Sequence, residues 1–214
     1  MWEERTEKQP VRAFVPRLQR IRIRRHCNEQ SRTGGKRHAC GVKPEEIKEA
    51  VYHCALYIGL GKAENAVNAV NAVFAGKGIV LPLTSGQTMT EESRLLDGIA
   101  AQKPIFGDHI DAMRAAAPEN QKNIQDDLSA YCFGDFYTRK FLPIHERELL
   151  TFSILASQGG CEGQVKAHVG GNATVGNGKE VLLAALTVCL PYIGFPRTLN
   201  ALSCINEVLP EAKQ

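Results

Sequence analysis

ERELLTFSILASQGGCEGQVKAHVGGNATVGNGKEVLLAALTVCLPYIGFPRTLNA, residues 146–201, reads as a succession of helices divided by glycine turns. Pro143 opens a helix over about Ile144 to Ser157, and Gly159-Gly160 closes it. It carries Glu148 among Leu149, Leu150, Phe152, Ile154 and Leu155, where a carboxylate needs a partner. The next helix is expected to begin at Cys161. Positions 161, 164 and 168 then fall at i, i+3 and i+7, so Cys161, Gln164 and His168 share one stripe of a 3.6-residue period. A cysteine in a first helical turn sits at the positive end of the macrodipole, which favours thiolate. A histidine two turns on can pair with it or move protons.

The pattern continues outward on both sides. Gly178 to Leu190 and Pro196 to Val208 complete the C-terminal helices. Upstream, Pro44-Glu45-Glu46 starts a helix that runs to Tyr57 and stops at Gly59, and a second spans about Ala63 to Phe74. Gly76 to Gly86 is a loop, Thr90-Glu91-Glu92 opens a helix to about Lys103, a short helix follows near Asp108 to Ala116, and Pro118 leads another through Tyr137. Apolar β-branched runs are confined to Ile79-Val80-Leu81, so the fold class is all-α.

Two of these helical pairs repeat. Gly41 through Tyr57-Ile58-Gly59 to Asn71 aligns without gaps onto Gly176 through Tyr192-Ile193-Gly194 to Asn206, at a constant offset of 135. Cys54 meets Cys189 and Ala50 meets Ala185. At the same offset, Glu148 falls on Ala13, Cys161 on His26 and His168 on Thr33, so the first copy has no site of its own. The division expected is a basic segment at 1–40, a partial first repeat at 41–75, linker helices at 76–128, and a complete second repeat with the site at 129–214. The upstream half of the first copy has either decayed or been replaced.

Composition narrows the class further. The chain has 214 residues, a net charge of +3 and seven cysteines without paired spacing, which argues against a disulfide framework and for a reducing compartment. Arg12, Arg17, Arg20, Arg22, Arg24, Arg25, Arg32, Lys36 and Arg37 crowd the start, with no base-reading motif and no series of stacking aromatics. A solvated tail is expected there rather than a nucleic-acid interface. MWEERTEKQP has no apolar core of a signal peptide, and Val181 to Phe195 is short for a bilayer and holds Pro191, so it reads as a buried core helix. The expected setting is cytoplasmic, with no membrane contact and no metal or other cofactor.

From about Gly41 to the C-terminus the sequence resembles the carboxymuconolactone decarboxylase family, within the wider group of alkylhydroperoxidase D proteins. Its redox branch uses a glutamate, then Cys-x-x-Cys, then a histidine three residues on. Glu148, Cys161 and His168 match, with the first and last gaps one residue longer, and Gln164 replaces the second cysteine. Motifs of the form Cys-x-x-Gln-x-x-x-His are similar to the decarboxylase side. The resemblance implies a helical bundle that self-associates as a trimer or hexamer. It also implies cofactor-independent decarboxylation of a small unsaturated lactone acid, with His168 as acid/base, Glu148 orienting it, Gln164 at the developing oxyanion and Arg197 on the substrate carboxylate.

Each assignment has a plainer rival: Cys161 as a small buried residue, His168 as a core histidine, and Glu148 as the structural partner of Arg147 or of another helix. Cys54, Cys132, Cys189 and Cys204 sit on apolar faces and read as packing, while His109 and His145 flank loops. Two other functions stay open. One is a thiol peroxidase in which Cys132 or an external thiol resolves Cys161; the other is a non-catalytic oligomeric binding protein.

Overall fold

The computed structural model describes residues 41–211, and every regular element among them is helical. The basic segment at 1–40 lies outside the described residues. Ile79-Val80-Leu81 forms no strand; it is part of the loop between two helices, with Val80 exposed.

Helix α1, Pro44–His53, starts with proline at its first position, and the Lys43 backbone N–H donates to the Glu46 carboxylate at 3.0 Å. The expected single helix to Tyr57 is interrupted at Cys54, whose N–H turns back to the Val51 carbonyl, and α2, Ala55–Ile58, completes it. Gly59, at φ 82° and ψ 158°, swings the chain into α3, Leu60–Gly76. That helix begins three residues before the expected Ala63, because the Gly59 carbonyl already accepts the Ala63 N–H. Gly194 has nearly the same backbone angles, φ 74° and ψ 169°. The two turns 135 residues apart are thus built alike.

Helix α4, Arg94–Phe106, starts later than Thr90 and runs through Pro104 in its last turn, where Pro104 and Ala100, whose carbonyl the proline cannot satisfy, are both exposed residues. After α5, His109–Ala116, the expected continuous helix from Pro118 to Tyr137 is instead a 3₁₀ turn at Glu119–Gln121, α6 at Lys122–Asp127 and a π-helical stretch at Leu128–Tyr137. Backbone-to-backbone packing explains the departure. A Cβ on Gly98 would lie 1.9 Å from the Ser129 carbonyl oxygen, and one on Gly134 would lie 2.2 Å from that of Arg94. Two glycines let α4 and the π-helical stretch approach this closely. The π geometry widens the turn and aims Cys132, Phe133 and Tyr137 inward.

Helix α7, Ile144–Gln158, is the centre of the bundle: Arg147, Glu148 and Leu150 through Ala156 are all buried. It packs on α8, Glu162–Thr174, and on α9, Lys179–Val208, around Phe152, Leu155, Val169, Leu182, Leu186 and Ile205. A second cluster joins Ile105 to Cys132, Phe133 and Tyr137, and a third joins Cys54 to Leu150 and Ile154. Helix α9 is long and apolar enough to cross a membrane by length and composition, but Gly194 breaks it into two helices. It is less enclosed than a core helix should be, since Phe195 and Leu199 are exposed beyond the break.

Candidate functional site

Glu148 lies on the side of α7 that faces α8, fully buried. Its Oε2 is 2.9 Å from His168 Nδ1, and its Oε1 accepts the Tyr137 hydroxyl at 2.6 Å. Asn172 fixes the two helices to each other by donating to the backbone carbonyls of both Glu148 (2.9 Å) and His168 (2.7 Å). Its own oxygen accepts from Asn177, which also donates to the His145 carbonyl. The carboxylate sits where a side chain at 171 would be: a Cβ on Gly171 would lie 2.7 Å from Glu148 Oε2 and 2.8 Å from Ile105 Cγ2. Phe106 meets the imidazole of His168 edge-on, at 5.4 Å between centroids. His168 itself is 13% exposed, so its Nε2 edge can reach a small molecule while Glu148 cannot.

The hydrogen bonds continue behind Glu148 into α1. Tyr137 also contacts Thr151 Oγ1 at 2.8 Å; Thr151 contacts Tyr57 at 2.9 Å and His53 Nε2 at 2.8 Å. Burial pushes both tyrosines well above their ordinary pKa, so both keep their protons. Burial, then the charges of Arg147 and His168, pushes His53 well below its own, so it is neutral.

Donor counting then fixes the direction of the chain. Tyr137 gives its proton to Glu148 and must accept from Thr151; Thr151, with its single proton committed, accepts from Tyr57 and from His53 Nε2–H. His53 Nδ1, buried and without a partner among the described residues, is left as a bare lone pair rather than an orphaned N–H. At the other end Glu148 accepts from His168 Nδ1–H, so Nε2 is the ring nitrogen left to face a small molecule. Every link points toward Glu148.

Residues 123–207 match the family described as "Carboxymuconolactone decarboxylase family". This part of the chain is thus similar to that family. A "4-carboxymuconolactone decarboxylase" of Acinetobacter baylyi is 24% identical over 124 residues, which cover 58% of this chain and 92% of that protein. Glu148, Cys161, Gln164, His168 and Arg197 all fall within the residues the family matches.

Within the matched residues the structure joins Glu148 to His168, and Cys161, Gln164 and Arg197 make no hydrogen bond or ion pair to either of them among the described residues. Cys161 precedes α8 rather than lying in its first turn, with φ −139° and ψ 43°. The i, i+3, i+7 stripe therefore fails at its first member. The thiol packs against the core and donates to the Leu155 carbonyl at 3.4 Å. Burial raises its pKa, with Glu162 and Cys204 adding to the shift, which corrects the expectation of a stabilised thiolate. Gln164 is exposed on α8. Arg197 is exposed and lies beside Gly159, where a Cβ would approach its Nε to 3.2 Å.

Of the two plainer partners open to Glu148, Arg147 or a residue of another helix, Arg147 is not the one that meets it. Consecutive residues of a helix diverge by about 100°, and Arg147 turns instead toward Glu49 on α1. Sequence reading missed His53, Tyr57, Tyr137 and Thr151. A signal was present: Glu49, His53 and Tyr57 recur every fourth residue, a polar stripe in a segment that also supplies Val51, Cys54 and Ala55 to the core. Among the described residues no group of three or more His, Cys, Asp or Glu is gathered to hold a metal ion.

Proposed function

We propose that the protein is a cofactor-independent carboxy-lyase acting on a small unsaturated lactone acid of the 4-carboxymuconolactone type. The observation that carries this reading is the Glu148–His168 pair: a buried carboxylate on one ring nitrogen, with the other ring nitrogen accessible. In such a substrate the bond to the departing carboxylate breaks, and carbon dioxide leaves. The electron pair flows through the ring double bond into the lactone carbonyl. A proton is then added at the carbon next to that carbonyl. His168 Nε2 supplies that proton, and Glu148 faces the imidazolium that carries it. The fixed donors behind Glu148 keep the carboxylate oriented without rearrangement during the reaction. Arg197 and Gln164 are assigned to the substrate rim, where both are exposed. Exposed Leu60, Phe195 and Leu199 offer apolar surface for trimer or hexamer formation, and the five described cysteines, all free, fit a reducing cytoplasmic setting.

The thiol-peroxidase alternative draws no support from the cysteines. Cys161 is held toward the thiol form, and Cys132, buried, is pushed up to about 12. Alkylation of Cys161 by iodoacetamide is expected to be slow at neutral pH and to accelerate as the pH rises, with the Cys161→Ser variant as the blank. Fast, pH-independent modification near pH 7 would reverse that ranking. The reaction itself is tested by incubating the assembled protein with 4-carboxymuconolactone and following lactone loss with carbon dioxide release. Equal release of both is expected from wild type and from Cys161→Ser; absence of either from a correctly assembled protein removes this substrate.

A further inference from the structure

A cleft of about 740 Å³ opens between α1, α3, the loop at 81–85 and residues 136–141, and neither Glu148 nor His168 lines it. Its volume is that of an ordinary small-molecule site. The apolar wall is formed by Val67, Leu81, Leu83, Phe136 and Phe141. The charges are arranged unequally. Glu49 is fully engaged, taking both Nε and Nη2 of Arg139 and Nη2 of Arg147. Lys48, only 6% exposed, has no carboxylate within ion-pair distance among the described residues. Its ammonium donates to Asn71 Oδ1 at 2.6 Å and lies 5.1 Å from the centre of the Tyr52 ring.

A buried ammonium with three N–H donors and one neutral acceptor lacks a counter-charge. Because Asn71, which also lines the cleft, accepts from Lys48 through its oxygen, its NH₂ remains a donor. Glu45 and Glu49 also line the cleft and disfavour a second negative charge. We propose that this cleft binds a small apolar monocarboxylate, its carboxylate on Lys48 and Asn71 and its body against Leu81, Leu83, Phe136 and Phe141. The site is separate from the Glu148–His168 pair and does not depend on the reaction assigned there. It also has no counterpart in the second helical pair, where Leu183 and Thr187 occupy the positions of Lys48 and Tyr52.

The test is a titration of the isotope-labelled full chain with benzoate and, separately, with neutral benzamide, read by NMR. Saturable benzoate shifts centred on Tyr52, Leu83 and Phe141 are expected, with benzamide weaker by about tenfold or more, the difference a charge-assisted hydrogen bond makes. Lys48→Met, which keeps the apolar stem, is expected to weaken benzoate by a similar factor and to leave benzamide unchanged. The proposal is overturned by absence of saturable binding, by equal affinity for the two probes, or by shifts centred on His168. Because the probe comparison is made in the wild-type protein, a variant that fails to fold does not spoil the result.

Discussion

Replacing His168 with alanine is expected to lower decarboxylation of 4-carboxymuconolactone by about 10²- to 10⁴-fold in kcat, the range a positioned acid/base supplies. KM should change far less, because His168 moves a proton and does not hold the substrate carboxylate. Glu148→Gln is expected to fall in the same direction for a different reason. The amide can still accept from Tyr137 through its oxygen, but it presents N–H₂ to His168 Nδ1. The neutral ring must then give up its Nδ1–H, and the imidazolium that delivers the proton from Nε2 loses the carboxylate that faces it. Steady-state kinetics with both products quantified checks this. His168→Ala turning over within about threefold of wild type, well short of that range, would remove the histidine from the chemistry.

The second large effect is on stability. Glu49→Leu is expected to destabilise the protein by about 3–5 kcal/mol, the typical result of removing one partner from a buried ion pair. Arg147 is fully buried and its only carboxylate partner among the described residues is Glu49; its remaining bonds go to the carbonyls of Arg139, Lys140 and Leu142. Without Glu49 its charge stays in the core uncompensated, and Arg139 loses its bidentate partner as well. Urea denaturation followed by circular dichroism measures the change. A loss below about 1 kcal/mol, the size of an exposed pair, would show that Arg147 reaches water. The Glu49–Arg147 pair ties α1 to α7, which places the first helical pair in the scaffold of the site although it carries neither Glu148 nor His168.

The helical class, the glycine turns and the partnership awaiting Glu148 were legible in the sequence because they rest on local period and on the desolvation of one carboxylate. The helix bounds held where a strong breaker stood at the end, as at Gly59 and Gly159, and failed where packing decided. The π-helical stretch at Leu128–Tyr137 follows from the contact of Gly98 and Gly134 with another helix's backbone, and no local pattern announces it. The Cys161 expectation failed through a single residue: leaving the helix at 161 turns the thiol into the core and away from the stripe it would share with Gln164 and His168. Tyr137, Thr151 and His53 come from three segments, with Thr151 98 residues beyond His53, so their meeting is a property of tertiary packing.

The account turns on the direction of the hydrogen bonds that converge on Glu148, and ¹⁵N NMR of the His168 ring reads it directly. At a pH where the ring is neutral, wild type is predicted to hold the Nδ1–H tautomer with Nε2 bare. Tyr137→Phe, which removes one of the two donors to a buried carboxylate, is predicted to shift the ring toward a mixture with the Nε2–H form. A wild-type ring carrying its proton on Nε2, or a tautomer ratio that does not respond to Tyr137→Phe, would contradict the Glu148–His168 pair as the acid/base centre described above.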